Sequence, residues 1–474
     1  MFLRKTKIIA TIGPSSASKS VLRAMVQAGV DVFRINFSHG EEDFYQKIIK
    51  NIKEINKELH KHTAILADLQ GQKIRVGKMK ENIFLLKNSK LILTNRPVLG
   101  DNKKIQIQQK DLIKKLNKEK KISIDDGKIV LKIESKSLKK NELKCKVING
   151  GELKSNKGVN FEDTIKNQKA LSKKDKKDLK YILTKNIEWV ALSFVSNKQD
   201  VLELKKIIKK SKSKTLVISK IENSKAVDNI EEIIEFSDAI MVARGDLGIE
   251  IPIHKIPLIQ KNIVKTSNKQ AKPVVIATHM LESMVEKINP TRAEANDVAN
   301  SVLDGADALM LSAETATGKN PIESVRIMRK IIKDVETGML LNPVRFKIKK
   351  DIERSVTDSI CYHSCLLAEQ VSAKAIITMT HSGYSALKIS SSRPSCMVYA
   401  FTENHFILNT LNLVWGVRGF YYKKTISTDE TIEDTQKILK TNGVLKNGDM
   451  VVNVASMPLK KKGMTNMVKL GKIK

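Results

Sequence analysis

Eight short apolar runs that alternate with amphipathic segments constrain the fold more than any other feature of this sequence. Each run is nearly unbroken, as expected for parallel strands that are buried on both faces. The predicted strands span 7–12, 31–36, 64–69, 189–194, 216–219, 239–243, 273–277 and 308–311. Eight strands with intervening helices predict an α/β protein built on a (β/α)8 barrel, the TIM-barrel fold, whose chemistry lies at the carboxyl ends of the strands.

Two segments do not fit this alternation. Residues 72–157 are too long for one crossover, and their alternating patterns and the turn at Asp125-Asp126-Gly127 predict an inserted all-β lid. After residue 345 a helix and further strands restart the pattern, which predicts an open α/β domain. We therefore expect a barrel domain at 1–71 and 158–345, a lid domain at 72–157 and a C-terminal regulatory domain at 346–474.

Composition narrows the class of protein. The formal net charge is +34, but the lysines are dispersed and aromatic residues make up only 4%, so we expect no specific nucleic-acid binding. No apolar run approaches the roughly 20 residues of a membrane span, and the first residues do not resemble a signal peptide. These observations predict a cytoplasmic protein that does not bind membranes.

The cysteines are Cys145, Cys361, Cys365 and Cys396, and they lack the paired spacing of a metal site. Cys361 and Cys365 are four residues apart, which places both on one face of a helix. We expect buried, reduced thiols, and the alternative is a redox or metal role.

Charged residues follow the fifth and sixth predicted strands, where apolar strands rarely carry them. Lys220 and Glu222 come after the fifth strand, and Arg244 and Asp246 come after the sixth. The carboxylates are hard oxygen ligands suited to Mg²⁺, and the cations suit an anionic, phosphorylated substrate. The alternative is a purely structural network of ion pairs. We expect Arg244 to brace the loop by an ion pair rather than to contact the substrate.

The other predicted strands also end in polar or small residues. These are Thr11, Gly13, Asn36, Ser38, Asp68, Ser193, Thr278, Ser312 and Glu314. Each alone has an ordinary interpretation as a cap or turn residue, but eight strands that end in this way predict a shared polar rim. Arginine is scarce beside lysine, so Arg34, Arg75, Arg244 and Arg292 are candidates for positions that need a planar, bidentate donor.

Motifs along the chain resemble those of the pyruvate kinase family, in order and spacing, over essentially the whole length. The matching stretches are TKIIATIGP (6–14), RINFSHG (34–40), DLQG (68–71), IR (74–75), DDG (125–127), KGVN (157–160), SKIEN (219–223), MVARGDLG (241–248), MLESM (280–284), PTRAE (290–294) and MLSAET (310–315). The resemblance implies a barrel with an inserted lid, a C-terminal regulatory domain and a homotetramer. It implies transfer of the phosphoryl group of phosphoenolpyruvate to ADP, giving pyruvate and ATP, at the last step of glycolysis.

The resemblance also implies which residues act on the substrate. Lys220, Thr278 and Arg34 would be catalytic, with Lys220 stabilising the transferring phosphoryl group and the enolate, and Thr278 helping to deliver a proton. Gly245 and Asp246 would also contact the substrate, at a short helix whose N–H groups receive its carboxylate. Mg²⁺ would be held by Glu222 and Asp246.

Two further sites follow from the same resemblance. The monovalent-cation site would take K⁺ on Asn36, Ser38, Asp68 and the Leu69 carbonyl. The nucleotide ADP or ATP would contact Asn36, His39, Arg75 and Lys157 at the junction of barrel and lid, and the lid would exclude water.

Four positions depart from the family pattern. Lys73 stands where an acidic residue is common, and its ammonium would replace K⁺, so we expect weak or absent K⁺ dependence. Gln72 replaces a proline at the lid hinge, and His279 replaces a glutamine beside Thr278.

The fourth departure concerns regulation. Tyr384 stands where an arginine often helps to hold an effector phosphate. We therefore expect allosteric activation by AMP or a sugar monophosphate, rather than by fructose bisphosphate, in the C-terminal domain. The residues that would bind this effector are Thr380, Ser382, Gly383 and Ser385.

Three alternatives remain open from the sequence. Another Mg²⁺-dependent barrel enzyme that handles phosphoenolpyruvate or an enolate would not need the lid, Arg75 or Lys157. A basic RNA-binding protein is disfavoured by the dispersed lysines and few aromatic residues. A regulatory homologue without activity is disfavoured because the predicted metal and phosphoryl residues are all present.

Overall fold

The computed structural model describes residues 4–38, 40–72, 74–81, 83–109, 113, 116–125, 127–161, 170–338, 354–424, 427–458 and 465–474. Its strands are β1 (Lys7–Ile12), β2 (Val32–Asn36), β3 (Ala64–Asp68), β4 (Ile83–Leu85), β5 (Lys90–Thr94), β6 (Lys104–Gln106), β7 (Lys121–Ile124), β8 (Ile129–Ser137), β9 (Glu142–Asn149), β10 (Gly151–Leu153), β11 (Val159–Phe161), β12 (Trp189–Leu192), β13 (Leu216–Ile221), β14 (Ala239–Ala243), β15 (Val274–Ala277), β16 (Ala308–Leu311), β17 (Ala375–Met379), β18 (Met397–Thr402), β19 (Val417–Tyr421), β20 (Met450–Ala455) and β21 (Met467–Lys472).

The α-helices of the described residues lie between and after these strands. They are α1 (Lys19–Ala28), α2 (Glu42–Leu59), α3 (Lys173–Thr184), α4 (Lys198–Lys210), α5 (Ser224–Asp228), α6 (Ile230–Phe236), α7 (Arg244–Glu250), α8 (Ile256–Lys269), α9 (Arg292–Leu303), α10 (Ala313–Ala316), α11 (Pro321–Gly338), α12 (Ser355–Gln370), α13 (Tyr384–Ser391), α14 (His405–Thr410) and α15 (Thr428–Thr441). Side-chain caps fix several starts: Ser172 and Thr291 each form a capping box with the acidic residue three positions later.

Eight parallel strands close into a barrel in the order β1-β16-β15-β14-β13-β12-β3-β2. Alternate side chains divide between the barrel interior and the surrounding helices, so Ile218 lies in the interior cluster and Ile221 in the outer one. The predicted fold class is confirmed. Two strand ends were wrong by two residues: β12 ends at Leu192 rather than at residue 194, and β13 continues past Ser219 to Ile221. Lys220 therefore lies on β13 and points to the same side as Ile218.

The chain between β3 and β12 forms the inserted β structure. A sheet with the order β11-β7-β8-β9-β5-β6 lies beside the pair β10-β4, and both share an apolar core. Arg75 bridges to Gly158 in antiparallel register, which brings the two ends of this segment together. The domain boundaries at 71/72, 157/158 and 345/346 stay predictions.

The C-terminal sheet has the order β19-β18-β17-β20-β21, and β21 is antiparallel to its neighbour. Neither edge strand was predicted from the sequence. Arg418 and Gly419 interrupt the apolar run of β19, and β21 carries two lysines and a glycine. Edge strands are half-solvated and tolerate such residues, which weakens the sequence pattern that identifies them.

The C-terminal region packs against the amino-terminal end of the barrel. Leu413 is fully buried in the interior cluster together with barrel residues such as Trp189 and Ala308. The buried Lys7 at the start of β1 donates to the Val417 carbonyl at 2.7 Å. The carboxyl ends of the barrel strands therefore remain available for a site.

Two other sequence predictions concern the thiols and the membrane. Cys145, Cys361, Cys365 and Cys396 are free and buried, as predicted, and burial raises the pKa of Cys365 to about 12. Among the described helices, none has both the length and the apolar character needed to cross a bilayer.

Candidate active site

Lys220 is the centre of the polar rim at the carboxyl ends of the barrel strands. Its Nζ lies 2.9 Å from Glu222 Oε1 and 3.3 Å from Asp68 Oδ1, and it donates to Ser193 Oγ at 2.8 Å. Burial alone would lower the pKa of Lys220, but the charges of Asp68 and Glu222 raise it above the usual lysine value. The ammonium therefore stays charged at neutral pH.

Asp68 holds a second cation next to Lys220. Arg34 Nε donates to Asp68 Oδ2 at 2.7 Å, and Arg34 NH1 donates to Thr11 Oγ1 at 3.0 Å. Burial would raise the pKa of Asp68, but Lys220 and Arg34 outweigh it and hold that pKa below its usual value. Asp68 is 1% exposed, so a buried carboxylate positions the two cations of the rim.

Glu222 and Asp246 form the acidic side of the site. Glu222 Oε2 accepts the backbone N–H of Phe194 at 2.7 Å. Burial raises the pKa of Glu222, the charge of Lys220 opposes this rise, and the charge of Asp246 adds to it. A buried carboxylate whose charge is disfavoured by burial and by a second carboxylate nearby gains from binding a divalent cation.

The loops after β14 and β15 are tied to each other. Gly245 N donates to Thr278 Oγ1 at 2.8 Å, and Thr278 Oγ1 donates to the Ala277 carbonyl at 2.6 Å. Thr278 and His279 both have positive φ values, 71° and 54°. A β-branched residue rarely adopts this conformation, so the surrounding contacts hold the Thr278 hydroxyl in place.

Arg244 is a brace, as predicted. Its guanidinium pairs with Asp297 at 2.7 Å and donates to the Thr278 carbonyl at 2.8 Å. These contacts link the start of α7 to α9 and to the loop that carries Thr278. The predicted short helix is present as α7, which begins at Arg244.

The residues predicted to bind a monovalent cation lie at the ends of β2 and β3. Asn36 Oδ1 accepts the Ser38 N–H at 3.0 Å, and the Leu69 carbonyl accepts the Ser193 hydroxyl at 2.8 Å. Asp68 Oδ1 is buried and accepts no hydrogen bond. These are oxygen ligands of the kind that K⁺ takes, although Asp68 Oδ1 already faces the Lys220 ammonium at 3.3 Å.

The residues predicted to bind the nucleotide lie where the inserted segment leaves and rejoins the barrel. Lys157 Nζ pairs with Asp125 Oδ1 at 2.8 Å, and Arg75 lies opposite Gly158, the residue after Lys157. Two basic side chains therefore share this junction. His39, Lys73 and Asp126 lie outside the described residues.

Three residues at the rim have roles that the sequence did not reveal. Ser193 connects Lys220 to the Leu69 carbonyl. Gly71 has φ 68°, and a Cβ there would lie 2.7 Å from the Phe194 ring, so the approach of these two strand ends requires glycine. Glu314 is fully buried and accepts the N–H groups of Leu281 and Ser312, so this predicted rim residue supports two loops. In the sequence, only their position at the end of a predicted strand indicated that Ser193 and Glu314 belong to the rim.

The predicted effector loop opens α13 in the C-terminal region. Gly383 has φ 83°, and its N–H donates to Thr380 Oγ1 at 3.0 Å. Ser385 Oγ lies 3.0 Å from Thr378 Oγ1. Tyr384 donates to Asp358 at 2.7 Å, and the Arg354 guanidinium lies 4.4 Å from the centre of its ring.

Within the described residues, no group of three or more His, Cys, Asp or Glu side chains converges as a protein-only metal centre. The pair Glu222 and Asp246 leaves most positions of an octahedral ion to water and substrate oxygens, which is how Mg²⁺ commonly binds. The donor set therefore fits Mg²⁺ better than a metal that requires a complete protein cage.

Comparison with known proteins gives two family matches that together span nearly the whole chain. Residues 3–325 match the family model described as "Pyruvate kinase, barrel domain". Residues 358–470 match the model described as "Pyruvate kinase, alpha/beta domain".

Individual relatives agree with these matches. The chain is 40% identical to pyruvate kinase 2 of Synechocystis over 474 residues, which cover 99% of this chain and 80% of the relative. It is 38% identical to a pyruvate kinase of Staphylococcus aureus over 469 residues, with the same coverage of 99% and 80%. Among solved structures, a pyruvate kinase from Cryptosporidium parvum superposes with a TM-score of 0.90 at 32% identity, covering 99% of this chain and 96% of that one.

Proposed function

The chain belongs to the pyruvate kinase family and is a phosphotransferase, and on this premise we propose how its own residues transfer a phosphoryl group from phosphoenolpyruvate to ADP. The observation that carries the proposal is the buried Lys220, which lies within 3.3 Å of two carboxylates and is held in the charged state. A fixed positive charge in a site shielded from water stabilises the negative charge that develops during phosphoryl transfer.

Arg34 would bind the transferring phosphate. Its guanidinium is fixed by Asp68 at 2.7 Å, so little side-chain freedom remains to be lost when the substrate binds. Asp68 also balances the charge of Lys220 before substrate arrives. The two cations are thereby preorganised to receive the phosphate from two directions.

Glu222 and Asp246 would hold Mg²⁺, which when bound draws electron density from the substrate oxygens and neutralises phosphate charge. The Glu222 carboxylate is oriented for this role because its Oε2 accepts the Phe194 N–H and its Oε1 faces Lys220. The charge of Asp246 raises the pKa of Glu222, which indicates that the two carboxylates lie close enough to share an ion.

Thr278 would help to deliver the proton that the enolate carbon gains. Its hydroxyl is fixed between the Gly245 N–H and the Ala277 carbonyl. A hydroxyl is a weak acid, so we propose that Thr278 orients a water that carries the proton. The N–H groups of Gly245 and Asp246, at the start of α7, would receive the substrate carboxylate, and Gly245 would then exchange its hydrogen bond to Thr278 Oγ1 for one to the substrate.

The nucleotide would bind at the junction of barrel and inserted segment, against Asn36, His39, Arg75 and Lys157. The pairing of Lys157 with Asp125 and the bridge at Arg75 support a shared phosphate-binding surface there. We propose that the inserted segment closes over ADP and excludes the water that would otherwise accept the phosphoryl group.

A coupled assay tests the proposed function directly. We expect pyruvate to form from phosphoenolpyruvate only when both ADP and Mg²⁺ are present, because each supplies part of the phosphoryl-transfer geometry. Glu222→Gln should raise the Mg²⁺ concentration needed for half-maximal rate, and Lys424→Gln, which changes an exposed residue of the C-terminal region, should not. Pyruvate formation that is independent of ADP would contradict the proposal.

We propose that this chain departs from its family in its dependence on K⁺. We propose that K⁺ binds weakly at Asn36, Ser38, Asp68 and Leu69, and that the Lys73 ammonium supplies the charge instead. Turnover should therefore change less than about twofold when K⁺ is titrated into a buffer of a large organic cation.

The matched variants sharpen that prediction. Lys73→Glu should create activation by K⁺ of about tenfold or more, because it replaces the local positive charge by a negative one. Lys78→Glu makes the same charge change at an exposed position of the inserted segment and should not. Strict K⁺ dependence of the unaltered enzyme would overturn the proposal.

Regulation and assembly complete the proposal. We propose that a monophosphate such as AMP or a sugar monophosphate binds at Thr380, Ser382, Gly383 and Ser385. The contacts of Tyr384 with Asp358 and Arg354 hold its side chain in place beside this loop. A cytoplasmic homotetramer remains our prediction.

A further inference from the structure

A cavity of about 910 Å³ lies at the end of the barrel opposite Lys220. It is lined by residues that precede three neighbouring barrel strands: His62 before β3, Glu188 before β12 and Lys214 before β13. His405 and Tyr421 of the C-terminal region form another wall. The cavity therefore belongs to both regions and is separate from the site described above.

The lining of this cavity is strongly basic. Five lysines line it together with three histidines, and the lysines are Lys53, Lys57, Lys61, Lys212 and Lys214. Glu188 is the single acidic lining residue. Its two oxygens already accept the Ile65 N–H at 2.9 Å and the Asn409 side chain at 2.8 Å, so they are occupied on the protein side.

None of these lysines forms an ion pair within the described part of the chain, although the charge of Lys53 acts on Glu188. Among the residues that the structure describes, no carboxylate oxygen lies within the 4.0 Å ion-pair distance of any of the five ammonium groups. The outer face of α2 is different, because Glu54 and Glu58 there pair with Lys19. Helix α2 thus directs its paired acids to one side and its unpaired lysines toward the cavity.

The positive charges around the cavity act on the pKa of one lining residue, His62. Burial and then the nearby His405 and Lys61 lower the pKa of His62. The loop that carries His62 is fixed, since the Asn56 side chain both donates to and accepts from the Thr63 backbone. Repulsion among these like charges is relieved when an anion binds, which favours an anionic ligand in this cavity.

A flat aromatic surface borders the basic wall. The rings of His405 and Tyr421 stack with their centroids 4.4 Å apart and an interplanar angle of 7°. Tyr421 is 45% exposed. A ring on the ligand can extend this stack, which adds to affinity without requiring a particular base.

We propose that this cavity binds a small molecule that carries two or more phosphate groups. Its volume is within the range of small-molecule sites, and its five lining lysines exceed what a single phosphate requires. The polyphosphate belongs to an inorganic chain or to a nucleotide. Because both regions of the chain supply lining residues, the bound ligand stabilises their contact.

Titration calorimetry of the full chain with sodium tripolyphosphate tests this proposal. The cavity variant is Lys57→Ala with Lys214→Ala, and the control variant is Lys47→Ala with Lys209→Ala. The control removes two exposed lysines from α2 and α4 that do not line the cavity. We expect the cavity variant to bind about tenfold more weakly than the unaltered protein, and the control to change less than about twofold.

Equal weakening in both variants would overturn the proposal, since it would show that net charge alone attracts the polyanion. Failure of the unaltered protein to bind tripolyphosphate at physiological ionic strength would overturn it as well. Thermal unfolding provides an independent measurement: tripolyphosphate should raise the midpoint of the unaltered protein and of the control more than that of the cavity variant.

A second arm distinguishes the two sources of the polyphosphate. ATP is used to displace tripolyphosphate from the unaltered protein and from Tyr421→Ala. If ATP displaces tripolyphosphate less effectively from Tyr421→Ala than from the unaltered protein, the adenine base contacts the aromatic stack. That result supports the proposed site and identifies its ligand as a nucleotide. If ATP instead displaces tripolyphosphate equally well from both proteins while the cavity variant still binds tripolyphosphate weakly, the result supports the proposed site and identifies its ligand as an inorganic polyphosphate.

Discussion

Lys220→Met is expected to lower kcat by about 10³-fold while the protein remains folded. Methionine has a similar length and no charge, so the variant removes the ammonium that lies 2.9 Å from Glu222 and 3.3 Å from Asp68. The loss should appear in kcat more than in KM. The Lys220 charge is balanced by two carboxylates before the reaction, so it stabilises the transition state of phosphoryl transfer more than the bound substrate. Steady-state kinetics with phosphoenolpyruvate and ADP measure it.

A second buried lysine of the barrel provides the matched control. Lys7 is 5% exposed and lies at the opposite end of the barrel, where it donates to the Val417 carbonyl. Lys7→Met should lower thermal stability, because it leaves that carbonyl without its donor, but it should leave kcat within about threefold of the unaltered enzyme. Normal turnover in Lys220→Met, or equal losses of kcat in both variants, would show that the Lys220 assignment is wrong.

The barrel could be predicted from the sequence because its strands are buried on both faces. Such strands are continuous apolar runs, and polar residues at their ends are conspicuous against that background. Lys220, Glu222 and Asp68 were identified in this way, and the structure brings them into direct contact. The same pattern did not show that Lys220 lies on β13. In the sequence, a charged residue after an apolar run is typical of a loop, so a lysine near the end of a strand is not recognised as part of it.

Contacts between distant segments could not be predicted. Ser193 was visible only as a polar strand end, and its bond to Lys220 depends on the stagger of β12 against β13. The scarcity of arginine pointed correctly to Arg34 and Arg244 as fixed donors. Arg292 is exposed and makes no ion pair within the described part of the chain, so its candidacy stays a prediction, and the scarcity of arginine did not identify Arg393.

Arg393 joins the C-terminal region to the barrel. Its guanidinium is 3% exposed and contacts both oxygens of Asp307, at 3.1 and 3.0 Å. It also donates to the Gly305 carbonyl at 2.6 Å and lies 4.9 Å from the centre of the Trp415 ring. Asp307 precedes β16, so this network fixes the sheet of the C-terminal region to the amino-terminal end of the barrel.

Arg393→Leu should therefore lower the free energy of unfolding by about 3–5 kcal/mol, measured by urea denaturation. The cost arises because the buried carboxylate of Asp307 loses its counter-charge and keeps only the backbone donors of Val274 and Trp415. Lys424→Ala is the comparison, since it removes an exposed ion pair with Asp434 and should cost less than about 1 kcal/mol.

A double variant tests the stated cause. Asp307→Asn removes the stranded charge and keeps an acceptor for one backbone donor, so adding it to Arg393→Leu should cost much less than it does in the unaltered protein. If the two losses simply add, the cost of Arg393→Leu comes from lost packing against Trp415 rather than from a buried unpaired carboxylate. Equal losses in Arg393→Leu and Lys424→Ala would show that the junction does not depend on this ion pair at all.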